Sequence, residues 1–222
     1  MGKLYTVATP IGNLGDVTYR AIAILKEVDL IACEDTREAR KLLDYYQVTT
    51  PLLSYHAQSG FHKEEKILQL LQTGKSVALI SDRGTPTISD PGASLVRKAL
   101  AKSLTVIPIP GASALITALQ ASGADTAAFS FLGFIPHKKG RQTFLKNALD
   151  RKETVVFYES CHRVEKCLQQ LLEHGAEKRQ IIIARELTKQ FEEFMRGTAA
   201  EVLQKLQQKP IRGEFVVILE RV

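Results

Sequence analysis

The segment Ser81-Asp82-Arg83-Gly84-Thr85-Pro86-Thr87-Ile88-Ser89-Asp90-Pro91-Gly92 gathers two glycines, two prolines, two aspartates and several hydroxyls directly after the apolar run Val77 to Ile80. A simple crossover needs less conformational specification than this. Asp90 and Pro91 read as the start of the next helix, whereas Asp82 to Ser89 have no such plain use and point to ligand binding. Two further loops share the setting. Thr9-Pro10-Ile11-Gly12-Asn13-Leu14-Gly15-Asp16 follows the first apolar run, and Pro108-Ile109-Pro110-Gly111-Ala112-Ser113-Ala114 joins another to a helix. Taken alone, the first reads as a tight turn with a helix cap rather than as a ligand loop, and Ser113 reads equally as a cap. Neither loop matches a dinucleotide or P-loop fingerprint.

Later motifs carry more charge. In Tyr158-Glu159-Ser160-Cys161-His162-Arg163 the two basic residues enter a helix at its N-terminus, against its dipole. That small cost is understandable if Arg163 meets an anion, or a carboxylate such as Glu159 or Glu165. Arg185-Glu186-Leu187-Thr188-Lys189-Gln190-Phe191-Glu192 alternates charge in a pattern that suits neither a helix face nor a half-buried strand, and a solvated turn is its plain alternative. Arg212-Gly213-Glu214 precedes the final apolar run.

The elements that must position these loops follow from periodicity. Runs at Leu4 to Thr9, Leu30 to Cys33, Leu52 to Tyr55, Val77 to Ser81 and Thr105 to Ile109 alternate with helical stripes, which predicts βα units on a largely parallel sheet. Asp16 is the expected cap of the first helix. Ala121 to Thr126 interrupts both periodicities, so domains are expected at 1–121 and 122–222. Beyond it, Ser130 to Phe134, Thr154 to Tyr158, Gln180 to Arg185, Glu193 to Gly197 and Glu214 to Glu220 predict a mixed sheet with a hairpin. The fold class is therefore α/β in two domains, the N-terminal sheet mostly parallel and the C-terminal sheet mixed.

The 222 residues are 45% hydrophobic and 24% charged, as in ordinary globular proteins, with a net charge of +6. No apolar run approaches the ~20 residues of a membrane span, and Met1 leads straight into a strand-like run, so a cytoplasmic chain without membrane association is expected. Cys33, Cys161 and Cys167 lack the paired spacing of a zinc site, so buried thiols and no metal are expected. Between Pro136 and Lys152 stand six basic residues against the single acid Asp150.

Taken together, Val7 to Asp16, Glu34-Asp35-Thr36-Arg37, the loop from Ser81, Pro108 to Gly111, Tyr158 to Ser160 with His162-Arg163, Arg185 to Lys189 and Gly213-Glu214 resemble the tetrapyrrole methylase superfamily of class III S-adenosylmethionine-dependent methyltransferases. The likeness runs the length of the chain in the superfamily's order. It is strongest to the branch that methylates a cytidine ribose 2′-hydroxyl in the decoding region of small-subunit (16S) ribosomal RNA. The resemblance implies a homodimer, with S-adenosylmethionine in the cleft between the two domains. It places Pro10, Ile11, Gly12, Asp82, Gly84, Thr85, Pro86, Thr87, Ile88, Ser113, Ala114, Phe157 and Tyr158 near that cofactor. This chain departs from the pattern at Arg83, usually Ala, and Cys161, usually Pro. Relatives often continue into a further helical region after the last strand, while this sequence ends at Val222.

Methyl transfer to a ribose hydroxyl needs placement and a nearby base. Candidates are Glu34, Asp35, Asp82, Glu159, His162, Glu186 and Lys189, of which Glu34, Asp35, Glu186 and Lys189 are taken as the catalytic set. Arg37, Lys138, Lys139, Arg141, Arg163 and Arg185 are the expected RNA contacts. A corrin-precursor methyltransferase and a nonenzymatic RNA-binding or assembly protein are the alternatives. Glu34 to Arg37 and Arg185 to Lys189 argue for the ribosomal branch over the former, and cofactor binding would exclude the latter.

Overall fold

The computed structural model describes residues 2–56, 60–176 and 179–221, without the side chains of residues 60 and 61. The chain divides into two compact units, Met1–Ser113 and Ala114–Val222.

In the first unit β1 (Lys3–Val7), β2 (Leu30–Cys33), β3 (Leu52–Ser54), β4 (Val77–Leu79) and β5 (Thr105–Ile109) form an all-parallel sheet in the order β3-β2-β4-β1-β5. Alternation along the strands feeds two cores. Tyr5, Val7, Ile31, Cys33 and Ala78 face Ala21 and Leu25 of α1 (Tyr19–Glu27) and Leu43 of α2 (Thr36–Tyr45). Leu4, Ala32, Val77 and Leu79 face Ile67, Leu68 and Leu71 of α3 (Gly60–Gln72) and Leu95 and Ala99 of α4 (Ala93–Ala101). A sheet so covered on both faces needs near-continuous apolar strands, which explains why these runs read as buried rather than half-exposed. Each fully buried Leu or Ile contributes roughly 1.5–3 kcal/mol.

Two helix starts differ from expectation. Thr18, not Asp16, caps α1, its Oγ1 accepting from Ala21 N at 3.0 Å; Asp16 closes a 3₁₀ turn, Leu14–Asp16, capped by Asn13. Helix α4 begins at Ala93, after Asp90 and Pro91, with Gly92 as its cap residue. Gly92 has φ +125°, and a Cβ there would lie 2.5 Å from Leu79 Cδ2 and 3.2 Å from Thr87 Cγ2. Close packing of the loop on β4, not side-chain capping, sets this start.

The second unit contains α5 (Ala114–Ser122), β6 (Phe129–Phe134), α6 (Arg141–Leu149), β7 (Thr154–Ser160), α7 (Val164–Glu173), β8 (Gln180–Arg185), β9 (Glu193–Thr198), α8 (Ala199–Gln207) and β10 (Glu214–Leu219). Its sheet runs β6-β7-β10-β8-β9, parallel only at β6/β7, with β8 and β9 forming the expected hairpin. Phe157, Ile181, Ile183, Phe215 and Val217 meet Leu145 of α6, Leu168 and Leu171 of α7 and Val202 and Leu206 of α8. Helix α5 lies against β10 and β8. Tyr158 Oη accepts from Leu115 N at 3.1 Å, and Arg196 Nε donates to Ser122 O at 2.8 Å. Helix α5 therefore belongs with the second unit, and the compact units divide before it, where the periodicity placed the break after it.

Candidate functional site

At the carboxyl edge of the parallel sheet, three loops far apart in sequence fasten one another. Thr9 and Gly84 exchange backbone hydrogen bonds of 2.8 and 3.0 Å, and Thr9 Oγ1 donates to Ser81 O at 3.1 Å. Ser81 Oγ donates to Gly84 O at 3.1 Å, and Thr85 Oγ1 reaches the third loop through Ala112 O at 3.1 Å. Ala8 N donates to Ile109 O at 3.2 Å. A Cβ on Gly111 would sit 3.0 Å from Ala8 Cβ, so only glycine lets these two loops touch without displacement. Ser81 and Thr9 are buried, as are Pro10, Ile11, Gly84 and Pro86, while Gly12, Asp82, Arg83 and Ile88 are exposed and Thr85, Thr87, Ser113 and Ala114 half-buried. Thr87 and Ser89 take φ values of +73° and +66° on either side of Ile88. A β-branched residue there is strained, by about 1–3 kcal/mol, and such strain persists where the surroundings over-determine it.

Carboxylates of the same unit edge divide by environment. Asp35 is a helix cap: its Oδ1 accepts from Arg37 N at 2.8 Å, and Arg37 Nη2 pairs with Oδ2 at 2.6 Å. Those contacts, the Arg37 side chain foremost, hold its carboxyl far below the usual range, which leaves little affinity for a proton. Asp82 Oδ1 accepts from Asp35 N at 2.9 Å. Burial first, then Asp82, raises Glu34. Burial, then Glu34 and Asp82, pushes Asp90 up to about 6. Glu34 thus keeps the proton affinity a base requires, and Asp90, which the sequence marks only as part of a helix start, joins it. No periodic pattern could have marked Asp90, because its environment is made by Glu34 of another loop and by Asp82 at the far end of its own.

The Asp90 shift has a pH consequence. The folded chain holds this proton more tightly than the unfolded chain, whose carboxyl titrates at about 4. Its stability contribution is complete below that value and is lost as pH rises through about 6. Asp90→Asn should therefore gain about 1 kcal/mol at pH 7 relative to pH 4, a figure reduced because water screens a half-buried carboxyl. Thermal melts of both proteins from pH 4 to 8 test this; parallel curves would count against it.

In the second unit the charged motifs build structure. Glu159, 1% exposed, pairs with Arg141 Nη1 and Arg163 Nη2, each at 2.8 Å. Arg141, 5% exposed, also donates through Nε to Gln170 at 2.8 Å. Arg141 and Arg163 are thus engaged internally and do not extend a basic surface; of the expected block, Lys138, Lys139, Lys146, Arg151 and Lys152 are exposed. Cys167 lies in the same core, and burial pushes its thiol up to about 12. Phe157 is a core residue, while Tyr158 stacks edge-on against Phe131 and Phe134.

Glu186 and Lys189 close the β8–β9 loop. Lys189 Nζ pairs with Glu186 Oε1 at 2.8 Å and Glu214 Oε2 at 2.9 Å, and Glu214 N donates to Glu186 Oε1 at 3.0 Å. Burial opposes the Lys189 charge, but these two carboxylates overcome it and raise the ammonium pKa. Burial likewise opposes the Glu186 charge, yet Lys189 and the Glu214 N–H hold its pKa below the usual range. Neither group is set to accept a proton. Gly213 has φ +96°, and a Cβ there would collide with the Glu186 carboxylate, which packs Gly213-Glu214 directly onto the Arg185 to Lys189 segment. Arg185 donates to Arg212 O at 2.8 Å and Pro210 O at 3.1 Å, and its guanidinium lies over the Phe215 ring.

Among the described residues no group of three or more His, Cys, Asp or Glu could hold a metal ion, and no helix is long and apolar enough to cross a membrane.

Residues 3–203 match the family model of the tetrapyrrole (corrin/porphyrin) methylases. The chain is 48% identical over 220 residues to ribosomal RNA small subunit methyltransferase I of Halalkalibacterium halodurans, covering 99% of this chain and 76% of that protein. It is 47% identical over 221 residues to the Bacillus subtilis protein of the same name, covering 99% and 75%. Among solved structures, diphthine synthase superposes with a TM-score of 0.76 at 10% identity, covering 99% of this chain and 90% of that one. Uroporphyrin-III C-methyltransferase from Thermus thermophilus, complexed with S-adenosylhomocysteine, gives 0.66 at 18%, covering 99% and 97%. At these identities the structural likeness speaks to fold.

Proposed function

The chain belongs to the tetrapyrrole (corrin/porphyrin) methylase family, and from that membership we propose that it transfers a methyl group from S-adenosylmethionine to small-subunit ribosomal RNA. In its finer form the proposal names the 2′-hydroxyl of a cytidine ribose in the decoding region, modified in the cytoplasm by a homodimer. The substrate rests on the likeness to small-subunit methyltransferases over nearly the whole chain. The cofactor rests on one observation above all: three sequence-distant loops lock together on the carboxyl edge of a parallel sheet, where α/β folds bind ligands.

The residues present fit that cofactor. Gly84 and Gly111 keep backbone within reach where a Cβ would crowd Ile11 and Ala8. Ile11, Pro86 and Ile88 offer apolar surface, and Thr85 and Ser113 offer hydroxyls. Asp82, Glu34 and Asp90 give this edge a negative field suited to a sulfonium. When bound, S-adenosylmethionine supplies an electrophilic methyl on a cation that brings its own leaving group.

The chain's own work is then placement and proton management. Locked loops hold their geometry without reorganising on binding, which lowers the entropic cost of bringing reactants together. A ribose hydroxyl must lose its proton as its oxygen is alkylated. Carboxyls whose proton affinity is raised toward neutrality, Glu34 and Asp90, are the groups suited to receive it.

Transfer of labelled methyl to undermethylated small subunits, compared with free ribosomal RNA and followed by nucleotide mapping, tests the proposal. Label on the 2′-oxygen of a cytidine is expected. Cofactor binding by calorimetry with no transfer to either RNA would overturn the ribosomal reading and turn attention to tetrapyrroles.

Lys138 and Lys139 remain the exposed basic pair before α6. Lys138→Glu with Lys139→Glu should weaken subunit binding about tenfold near 0.1 M salt, flatten the salt dependence by about two units of slope, and leave cofactor affinity unchanged. An unaltered slope would remove the pair from the RNA interface. Sedimentation of the purified protein checks the homodimer.

A further inference from the structure

The ends of the β8–β9 and α8–β10 connections enclose a groove of about 780 Å³ lined by Arg185, Gln190, Phe191, Glu193, Lys209 and Arg212 among others. The volume lies within the range of small-molecule sites, ~300–1,000 Å³, and accommodates one nucleotide. Phe191 is 70% exposed at its edge. Hydrophobic burial cannot account for an aromatic ring in that position.

The loop that carries Phe191 is tied down on both sides. Besides the Glu186–Lys189–Glu214 pairing, Lys189 N donates to Glu186 O at 3.0 Å, Glu192 N to Lys189 O at 3.1 Å, and Thr188 N to Glu192 Oε2 at 2.6 Å. Glu186 and Thr188 take φ values of +50° and +64° to make the turn. The ring is thus held out from a loop that is already ordered.

Charge around the groove is sorted. Glu193 pairs with Lys209 at 2.7 Å and lies 3.8 Å from Arg185, and Glu192 serves the Thr188 N–H. The exposed Arg212 guanidinium has no ion pair among the described residues. An exposed ring and an unmatched guanidinium plane beside a nucleotide-sized groove are the two surfaces on which unpaired RNA bases stack, with the cation also facing phosphate.

Resting on the ribosomal reading above, we propose that this groove receives an unpaired nucleotide of the RNA substrate, stacked on Phe191 and contacted by Arg212. Both are positioning residues; the groove binds RNA and performs no bond-making.

The test uses the whole protein. Phe191→Leu should raise KM for undermethylated small subunits about tenfold, the order expected for one lost base stack. It should change kcat and the dissociation constant for S-adenosylmethionine by less than twofold, and the melting temperature little, since the ring is exposed. Phe191→Trp should restore KM to within about twofold, because any aromatic face can stack. Arg212→Gln should raise KM and lower the salt slope for subunit binding by about one unit. Unchanged KM in both Phe191→Leu and Arg212→Gln would overturn the proposal, as would Phe191→Trp behaving like Phe191→Leu. A change of oligomeric state at constant RNA affinity would overturn it by assigning the groove to a second copy. If the unmutated protein methylates neither subunits nor ribosomal RNA, the ribosomal reading fails first and the nucleotide assignment with it.

Discussion

Glu159→Gln should destabilise the protein by about 3–5 kcal/mol, enough to abolish most of the stability of an ordinary domain. Among the described residues Glu159 is the single carboxylate between Arg141 and Arg163, each at 2.8 Å, in a setting where Arg141 is 5% exposed and Glu159 1%. The amide keeps the shape and can still accept from Ser160 N, which reaches Oε1 at 2.8 Å. What it removes is the charge, leaving guanidinium groups buried without a counter-ion. Among the described residues Arg141 Nη2 and Arg163 Nη1 already lack partners, so none of these residues offers a spare acceptor. Arg141→Met and Arg163→Met together with Glu159→Leu should cost less than Glu159→Gln alone, because removing all three partners leaves no stranded charge. Urea denaturation measures both; a loss below about 1 kcal/mol for Glu159→Gln would mean that water compensates the arginines.

This triad also shows where sequence reasoning reached its limit. The charge of Arg163 at a helix N-terminus is legible as needing a partner, and Glu159 is one of the two carboxylates near it in sequence. The deep burial of the pair was not legible, because Arg141 arrives from a helix 18 residues earlier in the chain. For the same reason Arg141 looked like part of a basic surface. Strand positions were readable throughout the first sheet, since strands covered on both faces must be apolar at nearly every position. Helix starts were less so: at Gly92 the decisive fact is a tertiary contact with Leu79, and local capping chemistry favoured Asp90 instead. Helix α5 was readable as a helix but not as a partner of β10, because an apolar stripe does not name the surface it covers. At the site itself, loop composition marked Ser81 to Gly92, while the division of labour among its carboxyls depends on distances that only the folded loops create.

Gly84→Val should abolish measurable S-adenosylmethionine binding, at least a hundredfold loss, and cost about 2–4 kcal/mol of stability. Gly84 sits at φ +78°, where a β-branched residue is most disfavoured, and a Cβ would meet Ile11 Cγ2 at 3.3 Å and Ala112 O at 3.8 Å. Its backbone also makes both hydrogen bonds to Thr9. Displacement here moves all three loops together, since Thr85 ties the same segment to Ala112. Strain and misplacement can be separated with Gly74→Val in the same unit. Gly74 has φ +93° with nothing among the described residues within 4 Å of where a Cβ would stand, so its variant carries the conformational penalty without the collision. It should lose about 1–2 kcal/mol and bind the cofactor normally. Calorimetry under conditions where each variant is folded by circular dichroism distinguishes the two effects. Equal cofactor affinity in folded Gly84→Val and Gly74→Val would show that the locked loops are a feature of the fold and that the cofactor is held elsewhere.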